Sequence, residues 1–269
     1  MRVFKILLKA VLHLVMIVLL TAFTQVGGLI YVLVLLLGRM FKWKRWVAFT
    51  AFLGFYLMAS LLIIPFLAPL WGRVPLPYSG PLRPRSIGTC LLNRHYAQPA
   101  LKNKLLELAA AMDKRHEGTP ILYLHANFPF VNGFPLPPHL SHNDGRKIDF
   151  TFYYLKDKQA VNTTPSFLGY GVFAAPTNKE INYPQICAEK GYWQYNLLSL
   201  LSPGTDSDYT IDEKRTRDLI KLLATDDLTQ KLFIEPHLKE RWRLNRFDKI
   251  RFHGCQAVRH DDHIHWQIN

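Results

Sequence analysis

The sequence predicts an α+β fold, a small antiparallel sheet with flanking helices, preceded by an N-terminal hairpin of two membrane-spanning helices. Three observations predict it. Two uncharged apolar runs, Ala10 to Leu37 and Val47 to Leu70, fill the first quarter of the chain. Beyond residue 86, segments of helical period and of strand alternation follow one another without a regular βαβ succession. Histidine and aspartate concentrate at two predicted strand edges, SHNDGRKIDF at 141–150 and VRHDDHIHWQIN at 258–269.

The apolar runs are 28 and 24 residues long, and about 20 suffice to cross a bilayer as a helix. Between them GRMFKWKRW carries four positive charges and two tryptophans, as an interfacial loop does. Residues 1–73 therefore read as a hairpin with spans at about 10–37 and 47–70. The first run is too long for the core of a cleavable signal peptide, and a second span follows it. Thr24, Gln25, Gly27 and Gly28 read as helix-packing residues, and His13 as a polar residue near the interface. The loop with Arg39, Lys42, Lys44 and Arg45 is more densely basic than either flank, which predicts a cytoplasmic loop with both termini outside.

VPLPYSGPLRPRS, residues 74–86, has four prolines and reads as an extended linker. The domain proper is expected over 87–269. Pro99 opens a helix with Leu101, Leu105, Leu108 and Met112 on one face. ILYLHANF (121–128) and KIDFTFYYL (147–155) read as strands. TIDEKRTRDLIKLLA (210–224) reads as a helix with Thr210 and Glu213 in capping-box spacing. KIRFHG (249–254) and the terminal IHWQI complete the strands.

The formal charge of +13 is unevenly spread: residues 1–73 hold eight Lys and Arg and no Asp or Glu, and the remainder holds 25 basic against 20 acidic residues. The excess flanks the apolar runs, where membrane segments carry it. No basic stripe with interleaved aromatics suggests nucleic acid. Cys90, Cys187 and Cys255 lack zinc-knuckle spacing. They allow one disulfide, of unspecified pairing, or three buried thiols.

In SHNDGRKIDF, His142 falls in the turn before a strand, Gly145 lets the chain bend, and alternation sets Asp149 and Thr151 opposite Ile148, Phe150 and Phe152. In the tail, His263 and His265 are two apart, so a strand points both the same way. Imidazole and carboxylate suit zinc, and a catalytic zinc keeps one position for water. His125, His139 and His237 have no such context and read as ordinary polar positions. The proline-rich stretch 127–140 reads as a stiff aromatic wall of a cleft. Arg94 and Ser141 are candidate substrate-binding residues, Arg94 through a substrate carboxylate or, alternatively, as a structural ion pair.

These motifs carry a resemblance. SHNDGRKIDF resembles the SHxxGxxxD motif of the lysostaphin, D-Ala-D-Ala metallopeptidase and sonic hedgehog group, and RHDDHIHW its terminal HxH. The spacing of His260, His263 and His265 is similar to the tail of penicillin-insensitive murein endopeptidases. The resemblance covers the two motif strands and not the middle of the domain. It implies Zn2+ held by His142, Asp149 and His265, with His263 beside the metal-bound water as general base or oxyanion stabiliser. His260 would orient His263 or serve as a second base. Asp262 lies three before His265, where the dipeptidase branch places a catalytic glutamate, and is the alternative base; a regular strand would turn it away from His263.

The resemblance implies a zinc peptidase that cleaves peptidoglycan stems or cross-links, and with the apolar runs this gives the expectation of an inner-membrane protein whose domain faces the periplasm or wall. Its layout is similar to wall peptidases that accompany type VI secretion, an envelope assembly. D,D- or L,D-carboxypeptidase activity is the alternative, and a non-catalytic zinc-stabilised module binding wall or a protein is the alternative of another class.

Overall fold

The computed structural model describes residues 1–201 and 208–269. The apolar N-terminal region is three helical segments: α1 (Arg2–Thr24), α2 (Gly27–Met40) and α3 (Arg45–Trp71), which passes through a π turn at Ala59–Ile63 and ends in a 3-10 turn. Helices α1 and α3 are long and apolar enough to cross a membrane. The run from 10 to 37, expected to be one span, is broken at Gln25, whose φ of 67° ends α1. Thr24 then caps the next helix, its Oγ1 accepting the Gly27 N–H at 2.8 Å.

Helix α2 folds back along α1. His13 Nδ1 lies 2.8 Å from Tyr31 Oη, although 18 residues along a single helix would separate them by about 27 Å. A side chain at Gly28 would put its Cβ 2.0 Å from Thr21 Oγ1 and 2.6 Å from the Ile17 carbonyl. The crossing therefore requires glycine there, as close-packed membrane helices commonly do. Three antiparallel segments put Met1 and Arg73 at opposite ends of the bundle, so the two termini do not share an end, as a two-span hairpin would have required.

Segment 74–86 is not a free linker. Val74–Pro75 pairs with Tyr96–Ala97, and Leu82–Pro84 forms an edge strand. Leu76 and Leu82 are buried anchors, and an edge strand tolerates Pro84 because the edge needs no N–H there. Among the described residues the main sheet has six strands: β1 (Leu82–Pro84), β2 (Ile121–Tyr123), β3 (Lys147–Thr151), β4 (Thr229–Phe233), β5 (Ile250–Arg251) and β6 (His263–Ile268), in the order β5-β4-β6-β3-β2-β1. The fold is α+β as expected, but the sheet is mixed. Its centre is antiparallel, and β5/β4 and β2/β1 at the two edges are parallel. The strand expected over 147–155 is interrupted after Thr151. Tyr154–Lys156 belongs to a separate small sheet with Gln159–Val161 and Tyr209–Ile211.

Helices α4 (Pro99–Arg115) and α5 (Glu213–Thr225) pack on one face of the sheet. Leu101, Leu105, Leu108 and Met112 of α4 are buried as their spacing predicts. Helix α5 starts later than expected: Thr210 is in a strand, and Asp212 caps the helix, its carboxylate accepting the Arg215 N–H at 3.0 Å. Under these helices lie Ile148 and Phe150 of β3 and Ile264, Trp266 and Ile268 of β6. A one-residue slip of β6 would lift Trp266 out of the core, losing about 4–6 kcal/mol of apolar burial, and would press His265 into it. That penalty holds the register that serves the opposite face.

Cysteines replacing His13 and Tyr31 should cross-link within one chain under mild oxidation in membranes, read by mass spectrometry of the digested protein. A single continuous span over 10–37 would give no such link.

Candidate metal centre

The face of the sheet away from α4 and α5 carries Asp149 and Thr151 from β3 and His263 and His265 from β6. Antiparallel pairing sets His265 opposite Asp149 and His263 opposite Thr151. His142 arrives from the turn before β3. Asn127 pins that turn, accepting the Gly145 N–H at 3.0 Å and donating to the Lys147 carbonyl at 2.8 Å. Gly145 has φ +81°, and a Cβ there would meet Arg73 Nε at 2.6 Å, so the bend admits only glycine.

The three residues close into a triangle. His142 Nε2 is 3.0 Å from His265 Nδ1 and 3.2 Å from Asp149 Oδ1, and His265 Nδ1 is 2.9 Å from the same oxygen. All are buried. His142 Nδ1 lies 2.7 Å from the Ala126 carbonyl, which only accepts, so this nitrogen carries the ring proton and Nε2 presents its lone pair. That lone pair faces the Asp149 carboxylate, an arrangement that repels unless a proton or a metal ion lies between them. Three ligands on a tetrahedral zinc at 2.0–2.1 Å would be about 3.3 Å apart, close to the observed edges. The donor set thus fits a metal ion.

His139, read from sequence as an ordinary polar position, belongs to the centre. His139, His142 and Asp149 form a buried group able to hold a metal ion, with ligand atoms within 4.8 Å of one another. His139 Nδ1 lies 3.2 Å from Asp149 Oδ2, the oxygen that also accepts the Tyr170 hydroxyl at 2.9 Å. One carboxylate oxygen therefore faces His142 and His265, and the other is held by His139 and Tyr170. His125 stacks on Tyr170 and against His139. The one available sign for His139 was its place three residues before His142; Tyr170 has no motif around it. His237 is structural, its Nε2 donating to the Ala174 carbonyl.

Burial works against charge on Asp149, but the His142 and His139 rings outweigh it and hold the carboxyl well below the usual carboxylate range. Burial pushes His139 and His260 well below the ordinary imidazole value, His125 to about 3 and His265 to about 4. The centre is thus an ionised carboxylate among imidazoles, a donor set that suits a cation.

His263 differs. Burial opposes its charge, yet the Asp262 and Asp149 carboxylates leave it raised above the ordinary value. Asp262 does not turn away as a regular strand would require. β6 begins only at His263, and in the preceding bend the Asp262 carboxylate contacts His263 Nδ1 with Oδ1 and accepts the Gly171 N–H at 2.6 Å with Oδ2. His263 Nε2 is buried and unpartnered. His260, 4.8 Å from His263 between ring centroids, makes no ring-to-ring hydrogen bond with it and borders a cleft. Its backbone N–H donates to Glu235 Oε1 at 3.0 Å.

That cleft has a volume of about 490 Å³ and opens beside the centre. Pro137, Pro138, His139, Leu140 and Ser141 form one wall, Trp193, Gln194 and Leu197 a second, and His253 and Gln256–Val258 a third, with His260 and His265 at its base. The proline-rich stretch and Ser141 thus stand where the sequence put them. Arg94 does not. Its Nε donates to the Phe23 carbonyl and its Nη1 to the Pro137 carbonyl, at 3.2 and 2.8 Å, so it is neither a cleft residue nor half of an ion pair with a carboxylate. Among the described residues, neither Lys nor Arg lines the cleft. Cys187 and Cys255 form a disulfide that ties the third wall to the helix Tyr183–Glu189, and Cys90 is a buried free thiol.

Comparison of the sequence with protein-family models and with curated proteins finds no match to either.

Burial pushes the Glu235 carboxyl up to about 7; hydrogen bonds from Tyr195 and the His260 N–H offset it only in part. Unfolded, this acid titrates near 4.3. Stability present below that value is therefore lost as pH rises through about 7. Glu235→Gln should become more stable relative to the parent between pH 5 and 8 by roughly 3 kcal/mol, measured by denaturation at both pH values. Parallel pH profiles for the two proteins would show that Glu235 is ionised in the fold.

Proposed function

We propose that this protein is a membrane-anchored zinc metallopeptidase cleaving peptide bonds in peptidoglycan stems or cross-links. The observation that carries the reading is the triangle of His142 Nε2, Asp149 Oδ1 and His265 Nδ1, with edges of 2.9 to 3.2 Å, one corner of which, His265, lines a cleft. The resemblance of SHNDGRKIDF and RHDDHIHW to the lysostaphin-type group supplies the substrate class.

His142, Asp149 and His265 would hold the zinc, and His139 and Tyr170 would orient Asp149 through its other oxygen. Zinc bound there lowers the pKa of water and polarises a carbonyl. Asp262 fixes the proton of His263 on Nδ1, which leaves Nε2 to take a proton from the nucleophile and return it to the leaving amine. With both its oxygens engaged, Asp262 is a positioning residue, and His263 is the better base. Endopeptidase action is favoured over carboxypeptidase action by the cleft, which among the described residues offers no guanidinium or ammonium for a chain-terminal carboxylate.

Membrane placement follows from charge. With α2 folded back, Arg2, Lys5 and Lys9 lie at the same end of the bundle as Arg39, Lys42, Lys44 and Arg45. Seven cations at that end support a cytoplasmic position for it, with the domain outside. The Cys187–Cys255 bond suits such an oxidising compartment. The domain would work on wall near the membrane, as local remodelling around an envelope-spanning assembly such as type VI secretion requires.

The full-length protein should bind about one zinc per chain. His142→Ala and His265→Ala should lose it. His263→Ala should keep it and lose muropeptide cleavage by roughly a hundred- to ten-thousand-fold. Asp262→Asn, which removes the carboxylate that orients His263, should lower turnover with zinc retained. Zinc content and cleavage are read on the same preparations. Full zinc in both ligand variants, or no cleavage of any muropeptide by the parent, would refute the assignment.

Reporter fusions should place residue 269 outside and residue 1 in the cytoplasm. A cytoplasmic C-terminus would be incompatible with action on the wall.

A further inference from the structure

The helical bundle contains a second cavity, about 540 Å³, far from the metal centre. Its lining is mostly apolar, with Met16 and Leu20 of α1, Val34 and Leu35 of α2, and Phe49 and Phe52 of α3. Its rim carries Lys9, Arg45, His13 and Tyr31, the last two joined at 2.8 Å. Residues 1–73 contain no Asp or Glu, and among the described residues neither Lys9 nor Arg45 is ion-paired within the protein. Two cations and two further polar groups thus border a groove whose remaining lining is apolar.

We infer that this groove binds one anionic phospholipid, its phosphate between Lys9 and Arg45 and an acyl chain along Leu20, Val34 and Phe52. The inference rests on the membrane placement proposed above. Charge and polarity together select this occupant. A zwitterionic headgroup brings its own ammonium to the two cations, and a soluble anion leaves the apolar lining wet. Basic pockets between helices on the cytoplasmic side are where anionic headgroups bind. The headgroup end of the groove, at Lys9 and Arg45, lies at the end of the bundle opposite the domain.

The test uses full-length protein reconstituted in phosphatidylcholine vesicles with increasing phosphatidylglycerol, then extracted for native mass spectrometry. One phosphatidylglycerol should remain per chain in preference to phosphatidylcholine. The preference should fall roughly fivefold for each cation removed in Lys9→Gln and Arg45→Gln. Lys5→Gln with Lys42→Gln, which alters charge at the same end outside the groove, should leave it unchanged. Val34→Trp, which fills the groove, should abolish retention. Equal losses in both charge pairs would reduce the effect to general surface attraction and overturn the inference. Retention undiminished by Val34→Trp, or displacement by inorganic phosphate, would overturn it by showing an anion site without a lipid chain. Protein that fails to float with vesicles would refute the membrane placement itself, whereas floating protein without lipid preference would refute this inference alone.

Discussion

The pairing of β3 with β6 joins strands more than a hundred residues apart in sequence and brings His265 opposite Asp149. Everything at the metal centre depends on that register. Strand alternation then sends Ile148, Phe150, Ile264 and Trp266 to the helix-covered face and Asp149, His263 and His265 to the other. The apolar face holds the register because any slip exchanges the two sets. The polar face could not hold it alone, since its converging lone pairs repel unless a proton or a metal ion joins them. The apolar core and the candidate metal centre therefore occupy opposite sides of the same two strands.

The apolar N-terminal helices are coupled to this arrangement. The turn between α1 and α2 lies against the domain. Gln25 Oε1 accepts the Phe130 N–H at 3.0 Å, and Asn93 Nδ2 donates to Ser60 Oγ at 3.2 Å. Arg94 links the last turn of α1 to Pro137, two residues before His139, and Arg73 at the end of α3 donates to the Phe128 carbonyl at 3.0 Å. The loop that supplies one cleft wall, His139 and His142 is thus braced by the helices that would sit in the bilayer. An anchor on a flexible tether would leave the cleft free to tumble. This one fixes its direction relative to the helices.

Much of the centre was legible in the sequence because strand alternation is strict: once 147–151 and 263–268 are strands, Asp149, His263 and His265 must share a face. Asp262 was misread because alternation was extended one residue beyond the strand's start, into a bend that lets the side chain turn back. His139 and Tyr170 were missed because long-range packing brings them to Asp149, and no local period marks them. The reversal at Gln25 was hidden for a related reason. Hydropathy measures the length of an apolar run, whereas the break depends on a single left-handed residue and two glycines. Segment 74–86 misled through its prolines, which suit edge strands as well as linkers.

The proposed zinc site has His142, Asp149 and His265, and not His139, as its ligands. An anomalous-scattering map of zinc-loaded crystals collected at the zinc absorption edge tests it most directly. The account predicts one peak about 2.0–2.2 Å from His142 Nε2, Asp149 Oδ1 and His265 Nδ1, with His139 bonded only to the other carboxylate oxygen. A peak between His139 and Asp149 Oδ2, or none at this centre, would contradict it.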